Sequence, residues 1–207
     1  CSSDLANRHP HGFYGRRRFG CMRLVESMER AREELAGAER SRERVLSKSR
    51  ALIRASKATI HAVHSGGDLE VATGSMESLL ADLLGEKVAW GPATDAVTEY
   101  SEARILVAVA GGGDVPTWES LGVPAGAWVM GLADSVGEMR RLILGKLMVG
   151  DVESALGTFS TMEAVADGLM LFDVPDAVVP LRRKQDVARG VLERTRSDLA
   201  VAVTMGR

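Results

Sequence analysis

Apolar positions recur every three and four residues along most of the chain, the period of a helix face turned toward a core. Leu24, Met28, Ala31, Leu35 and Ala38 follow this spacing, and Leu46, Leu52, Ile53, Ile60 and Val63 continue it. Charged residues fill the gaps and only Gly37 interrupts, so the pattern predicts one long helix or two nearly collinear ones. The paired glycines of "HSGGD" (64–68) supply the backbone freedom of a helix end and close it. Further helices are predicted over roughly 68–86, 94–110 and 124–149, then from the N-cap Asp151 to about 171, and last to about 203. Between them lie "GP" at 91–92, "GGGDVP" at 111–116, the capped turn "TWESLGVP" and "DVPD" at 173–176. No run alternates polar and apolar residues with β-branched enrichment. The pattern therefore predicts an all-α fold of about seven helices in a single domain, residues 22–207.

Residues 1–21 show neither period and read as a flexible N-terminal extension, with Met22 the expected start of the functional protein. Within it "GRRRFG" (15–20) reads as a solvated basic tail in preference to a phosphate contact. Over 207 residues, 45% hydrophobic and 26% charged content suits one globular domain with a real core. Aromatics are only 4%, so that core must be built from Leu, Val, Ala, Ile and Met. A net charge of -2 excludes a strongly basic protein, so any nucleic-acid contact must come from local clusters. Cys1 and Cys21 both fall in the extension, so no disulfide framework holds the body together. That pattern points to a reducing, cytoplasmic setting. No apolar run approaches the roughly 18 residues of a membrane span, so no membrane partner is expected. "CSSDLANRHPHGFYG" has no apolar secretory stretch.

Two acidic pairs break the helical pattern. Glu99 lies inside the apolar arc formed by Ala96, Tyr100, Ala103, Leu106, Val107 and Ala110, and Glu102 sits on its margin. Asp134 is the only charged residue between Trp128 and Gly137, and Glu138 follows one turn later. Ala127, Gly131, Asp134, Glu138, Arg141 and Gly145 share one face, and its small residues suit close approach of another helix. Carboxylates taken out of water cost several kcal/mol unless compensated, and four together repel one another. A divalent cation with a taste for oxygen, Mg²⁺ or Mn²⁺, removes both problems. Ordinary ion pairs are the competing account: Glu99 with Arg104 or a neighbouring helix, Glu138 with Arg141 or Lys146.

The stretches "RVLSKSRALIRASKATIHAVH" (44–64), "TEYSEA" (98–103) and "GVPAGAWVMGLADSVGEMRRL" (122–142) resemble the translin family, in its TRAX (translin-associated factor X) branch. "GDVESA" (150–155) and "DVPDAVVPLRRKQDVARGVLERTRSDL" (173–199) read like archaeal members. The resemblance covers the chain from about residue 40 onward, through the order and spacing of these motifs. It implies a helical fold assembling into hollow homo-oligomers, typically octamers, that bind single-stranded RNA and DNA. It further implies a metal-dependent endoribonuclease, with Glu99, Glu102, Asp134 and Glu138 as catalytic, metal-binding carboxylates. Translin-type members bind nucleic acid without the full acidic set, which is the alternative function. The segment "EKVAWGPATDAV" lacks the His and Arg that animal members place there.

For nucleic-acid contact the candidates are Arg50 and Lys57, seven apart on one helix face that reads equally as a solvated one, and Arg141 beside the second acidic pair. Arg182, Arg183 and Lys184 open the last helix and suit either RNA contact or a subunit interface. His61 and His64 stand one turn apart and read as a helix-end or surface pair before a metal pair. "GGG" at 111–113 is no phosphate loop, since no strand precedes it and no Gly-Lys-Ser/Thr follows. Trp90, Trp118 and Trp128 read as packing residues. Deleting residues 1–21 is expected to change single-stranded RNA affinity, read by fluorescence anisotropy, less than about tenfold, roughly 1.4 kcal/mol. A larger loss would assign the tail arginines a part in binding.

Overall fold

The computed structural model describes residues 13–86 and 91–205, with side chains for 22–86, 91 and 93–204. The helices are α1 (Phe13–Ser65), α2 (Leu69–Leu84), α3 (Thr94–Ala110), α4 (Trp118–Leu121), α5 (Ala125–Met148), α6 (Val152–Met170) and α7 (Arg182–Met205). A 3-10 turn, Gly91–Ala93, leads into α3. With seven α-helices and no strand among the described residues, the protein is all-α, as the apolar period predicts. No helix among these residues is long and apolar enough to cross a membrane.

The chain divides into two units, Cys1–Arg44 and Val45–Arg207. In the first, α1 exposes Leu24, Met28 and Leu35, and Glu29 pairs with Arg32 at 3.1 Å. The helix starts at Phe13, inside the stretch expected to be irregular; residues 1–12 lie outside the described ones. Sequence period misses this turn because extending an existing helix needs no amphipathic stripe, only tolerable residues. Trp90 also lies outside the described residues, and the side chains of "GRRRFG" and Cys21 are not described.

The second unit is built on two apolar clusters. One joins Val45 and Leu52 of α1, Met76, Leu80 and Leu83 of α2, and Val97 and Tyr100 of α3. The other joins Ile105 and Val109 of α3 to Leu132, Met139 and Ile143 of α5, Met162 and Leu169 of α6, and Leu192 of α7. Because α3 feeds both, it is buried on most of its circumference, from Ala96 through Val109. Residues with left-handed backbone and capping side chains end the elements. Gly66 (φ 74) and Gly122 (φ 65) stop α1 and α4, while Asp68, Thr117 and Asp151 cap α2, α4 and α6. Of the tryptophans, Trp128 donates from Nε1 to Pro116 O at 2.9 Å, whereas Trp118 is 41% exposed.

At Gly131 of α5 the helix comes close to the backbone of α3. A Cβ on Gly131 would stand 2.7 Å from Thr98 O and 2.8 Å from both Glu102 N and Ser101 Cβ. Backbone meets backbone there, which only glycine permits. Gly131→Ala is therefore expected to cost about 1–3 kcal/mol in urea unfolding, by forcing α3 and α5 apart. Gly137→Ala, on the exposed side of the same helix with nothing within 4 Å, serves as the control and should gain about 0.5–1 kcal/mol. Equal responses of the two variants would contradict this account of the crossing.

Candidate functional site

The crossing fixes where the four acidic residues lie. Gly131 seats on the Thr98–Glu102 turn of α3, the turn that carries Glu99 and Glu102. Asp134 and Glu138 follow Gly131 by about one and two turns of α5. Glu102 is half-buried and makes no hydrogen bond or ion pair among the described residues. Its carboxyl is pushed up to about 8, first by burial and then by the charges of Asp134, Glu99 and Glu138, with Lys184 opposing. The four carboxylates thus lie within one another's field, two from each helix.

Three of them have a cationic or imidazole partner. Lys57 Nζ of α1 stands 3.7 Å from Glu99 Oε1, and Lys184 Nζ of α7 is in close contact with Asp134 Oδ1. His64 Nε2 donates to Glu138 Oε2 at 2.6 Å, and Arg141 Nη1 lies 3.7 Å from the same oxygen. Of the pairings expected from sequence, Glu138 with Arg141 is present, and Glu99 pairs with a neighbouring helix through Lys57 of α1. Arg104 turns instead to Glu77 of α2, and Lys146 donates to Thr158 Oγ1 at 2.6 Å. His64, only 8% exposed in its side chain, faces the acidic cluster and is not a surface pair with the exposed His61. Sequence also leaves the role of Lys184 open between RNA and an interface; here it is Asp134's partner. No local signal marks these contacts, because they join residues 74 and 50 positions apart. Of the nucleic-acid candidates, Lys57 and Arg141 border the carboxylates, 64% and 58% exposed, while Arg50 is exposed on α1 and makes no ion pair among the described residues.

Beside Glu99 and Asp134 opens a groove of about 560 Å³ between α1, α3, α5 and the segment leading into α7. The donor chemistry suits a hard divalent cation: the acids are all carboxylates, and Glu102 is a half-buried one without a partner. Among the described residues, however, no three His, Cys, Asp or Glu side chains are drawn together as a metal site. The reason is visible in the contacts, since Lys57, Lys184 and His64 each hold one carboxylate. The residues fit a divalent ion in type and must exchange these partners to hold it.

Glu102 also sets a pH dependence. The folded protein holds this proton more tightly than the unfolded chain, so its contribution to stability is complete below about 4.5 and lost by about 8. In EDTA, urea midpoints of the wild type should therefore fall as pH rises through that window, by a few kcal/mol at most. Glu102→Gln should flatten the slope; an unchanged slope would place Glu102 outside the acidic cluster.

No family model matches the chain. An uncharacterized protein of Methanocaldococcus jannaschii is 28% identical over 176 residues, spanning 82% of this chain and 79% of that protein. AfC3PO in complex with duplex RNA is 34% identical, with a TM-score of 0.78 over 86% of this chain and 97% of that one. The crystal structure of AfC3PO, also 34% identical, covers 86% and 98% at a TM-score of 0.76. Apo-NeC3PO shares the fold at 19% identity and a TM-score of 0.75, covering 84% and 96%. With a third of its residues identical across nearly the whole length of AfC3PO, the chain belongs to the C3PO family of translin-like proteins.

Proposed function

We propose that the protein is a TRAX-like, metal-dependent endoribonuclease that binds and cuts single-stranded RNA. The observation that carries this reading is the α3–α5 crossing, which brings both acidic pairs to one place around Glu102, a carboxyl raised first by burial and then by the charges of Asp134, Glu99 and Glu138. A purely structural set of acids has no need of such crowding. Glu99, Glu102, Asp134 and Glu138 would hold Mg²⁺ or Mn²⁺. That ion supplies charge neutralisation at the phosphate and acidifies a water molecule for attack at phosphorus. Lys57 and Lys184, released from Glu99 and Asp134, are placed to hold phosphate oxygens, and Arg141 and Arg50 extend the basic track. The complex of AfC3PO with duplex RNA supports RNA as the ligand without favouring the single-stranded form; single-stranded DNA is a weaker candidate on the same groove. The assembly we propose is a homo-oligomer, the octamer that the resemblance implies, supported by the exposed Leu24, Met28 and Leu35 of α1. The proposed setting is cytoplasmic.

A second reading, a translin-like protein that binds without cutting, is favoured by one observation. Lys57, Lys184 and His64 satisfy three of the four acids without any metal.

Asp134→Asn separates the two. Asp134 and Lys184 keep 34% and 28% of their side chains exposed, so losing their pair should cost no more than about 1 kcal/mol. Cleavage of labelled single-stranded RNA in Mg²⁺ should fall by orders of magnitude while RNA binding survives. A wild type that binds RNA and yields no product in Mg²⁺ or Mn²⁺, or a variant that cuts at the native rate, would overturn the catalytic reading.

A further inference from the structure

Between Arg44 and Asp68 the chain has no Asp or Glu, yet this stretch of α1 holds Lys48, Arg50, Arg54, Lys57, His61 and His64. At a net charge of -2, it is the kind of local cluster that nucleic-acid contact requires. Two of the six turn to acids of other helices: Lys48 to Asp82 and Glu86 of α2, His64 to Glu138 of α5. The other four, Arg50, Arg54, Lys57 and His61, follow one another at steps of four, three and four residues. At about 100° per residue they fall within an arc of about 60°, so they form one straight stripe. All four are exposed. We infer that this stripe is a phosphate track that leads an RNA backbone along α1 to the carboxylates, with Arg54 and His61 as contacts beyond Arg50 and Lys57. The inference rests on the RNA reading above and adds the path by which the strand arrives.

Three observations carry it. The first is availability. Arg50, Arg54 and His61 make no hydrogen bond or ion pair among the described residues. Arginines of α7, by contrast, are spent on carboxylates: Arg189 on Asp186, and Arg196 on Glu163 and Glu193. An arginine without a carboxylate keeps its whole guanidinium fork for a phosphate. The second is support. Leu52, Ser56 and Thr59, on the opposite side of α1, are completely buried, so the stripe stands on a helix fixed to the core. Ala51 and Ala58 run along one flank, and no larger side chain overhangs the bases from there. The third is direction. The stripe spans about 16 Å, room for several phosphates of one strand. It ends beside the acidic cluster, where Lys57 lies 3.7 Å from Glu99 and the next turn of α1 places His64 on Glu138. Acids of α3, Asp95 and Glu99, share a groove with Lys57, so repulsion is met at this end, where a divalent cation would relieve it.

The test uses the full-length chain and a labelled single-stranded RNA, with affinity read by fluorescence anisotropy across a salt series in EDTA, where metal-dependent cleavage cannot shorten the probe. Arg54→Gln is expected to weaken binding by roughly three- to tenfold and to reduce the slope of log affinity against log salt by about one. Arg50→Gln should do the same, and the double variant should reduce the slope by about two. Arg54→Lys, which keeps the charge, should keep the slope, and His61→Ala should weaken binding by less than either arginine variant. Arg189→Gln, whose guanidinium is held by Asp186, serves as the control and should change neither affinity nor slope. Urea midpoints should not move, since Arg50 and Arg54 hold nothing in the fold. Native affinity and slope in Arg54→Gln, or an equal loss in Arg189→Gln, would overturn the track. A changed particle mass for Arg54→Gln in light scattering would also overturn it, by making the stripe a contact between copies of the chain. RNA bound without loss in the variants removes the track alone. A wild type that binds no RNA removes the RNA reading with it.

Discussion

Everything about the site follows from the contact between Gly131 and the Thr98–Glu102 turn. Two helices that carry acidic pairs would ordinarily separate until water screened them. Here α3 is clamped between two apolar clusters, and at Gly131 α5 meets its backbone directly, so the pairs cannot move apart. Hydrophobic burial over many residues holds the charges in place against their repulsion. The repulsion is concentrated where solvent is thinnest, on Glu102.

The molecule answers that repulsion with bases brought from distant elements. Lys57 and His64 come from α1 and Lys184 from the first turn of α7, each reaching one acid and none reaching Glu102 directly. The two lysine pairs are partly solvated, so each contributes little to stability, about 0–1 kcal/mol for a typical exposed pair, while the His64 pair is more enclosed. Weak pairs are easily exchanged. A cluster held by them is stable enough to fold without an ion and loose enough to release its carboxylates to one.

Much of this was legible in the sequence, and the rest had physical reasons for being hidden. Helix limits such as Thr94–Ala110 and the Asp151 cap follow from period and capping, which are local. Glu99, Glu102, Asp134, Glu138 and the small-residue face around Gly131 were also visible, because each breaks an otherwise apolar pattern. Which base meets which acid was not, since His64 and Glu138 are 74 residues apart and no pattern fixes a tertiary pairing. The same holds for the Val178–Pro180 segment, which has no period and lies against Gly126 beside the buried Leu181. The early start of α1 escaped because propagation of a helix demands little of its sequence.

Membership of the C3PO family places the fold beyond argument and leaves the chemistry to the cluster itself. The most direct measurement is an anomalous difference map from crystals of this protein soaked in Mn²⁺. A peak bounded by Glu99, Glu102, Asp134 and Glu138 is the predicted result. Density for manganese only elsewhere, or none with the Lys57 and Lys184 pairs intact, would contradict the account.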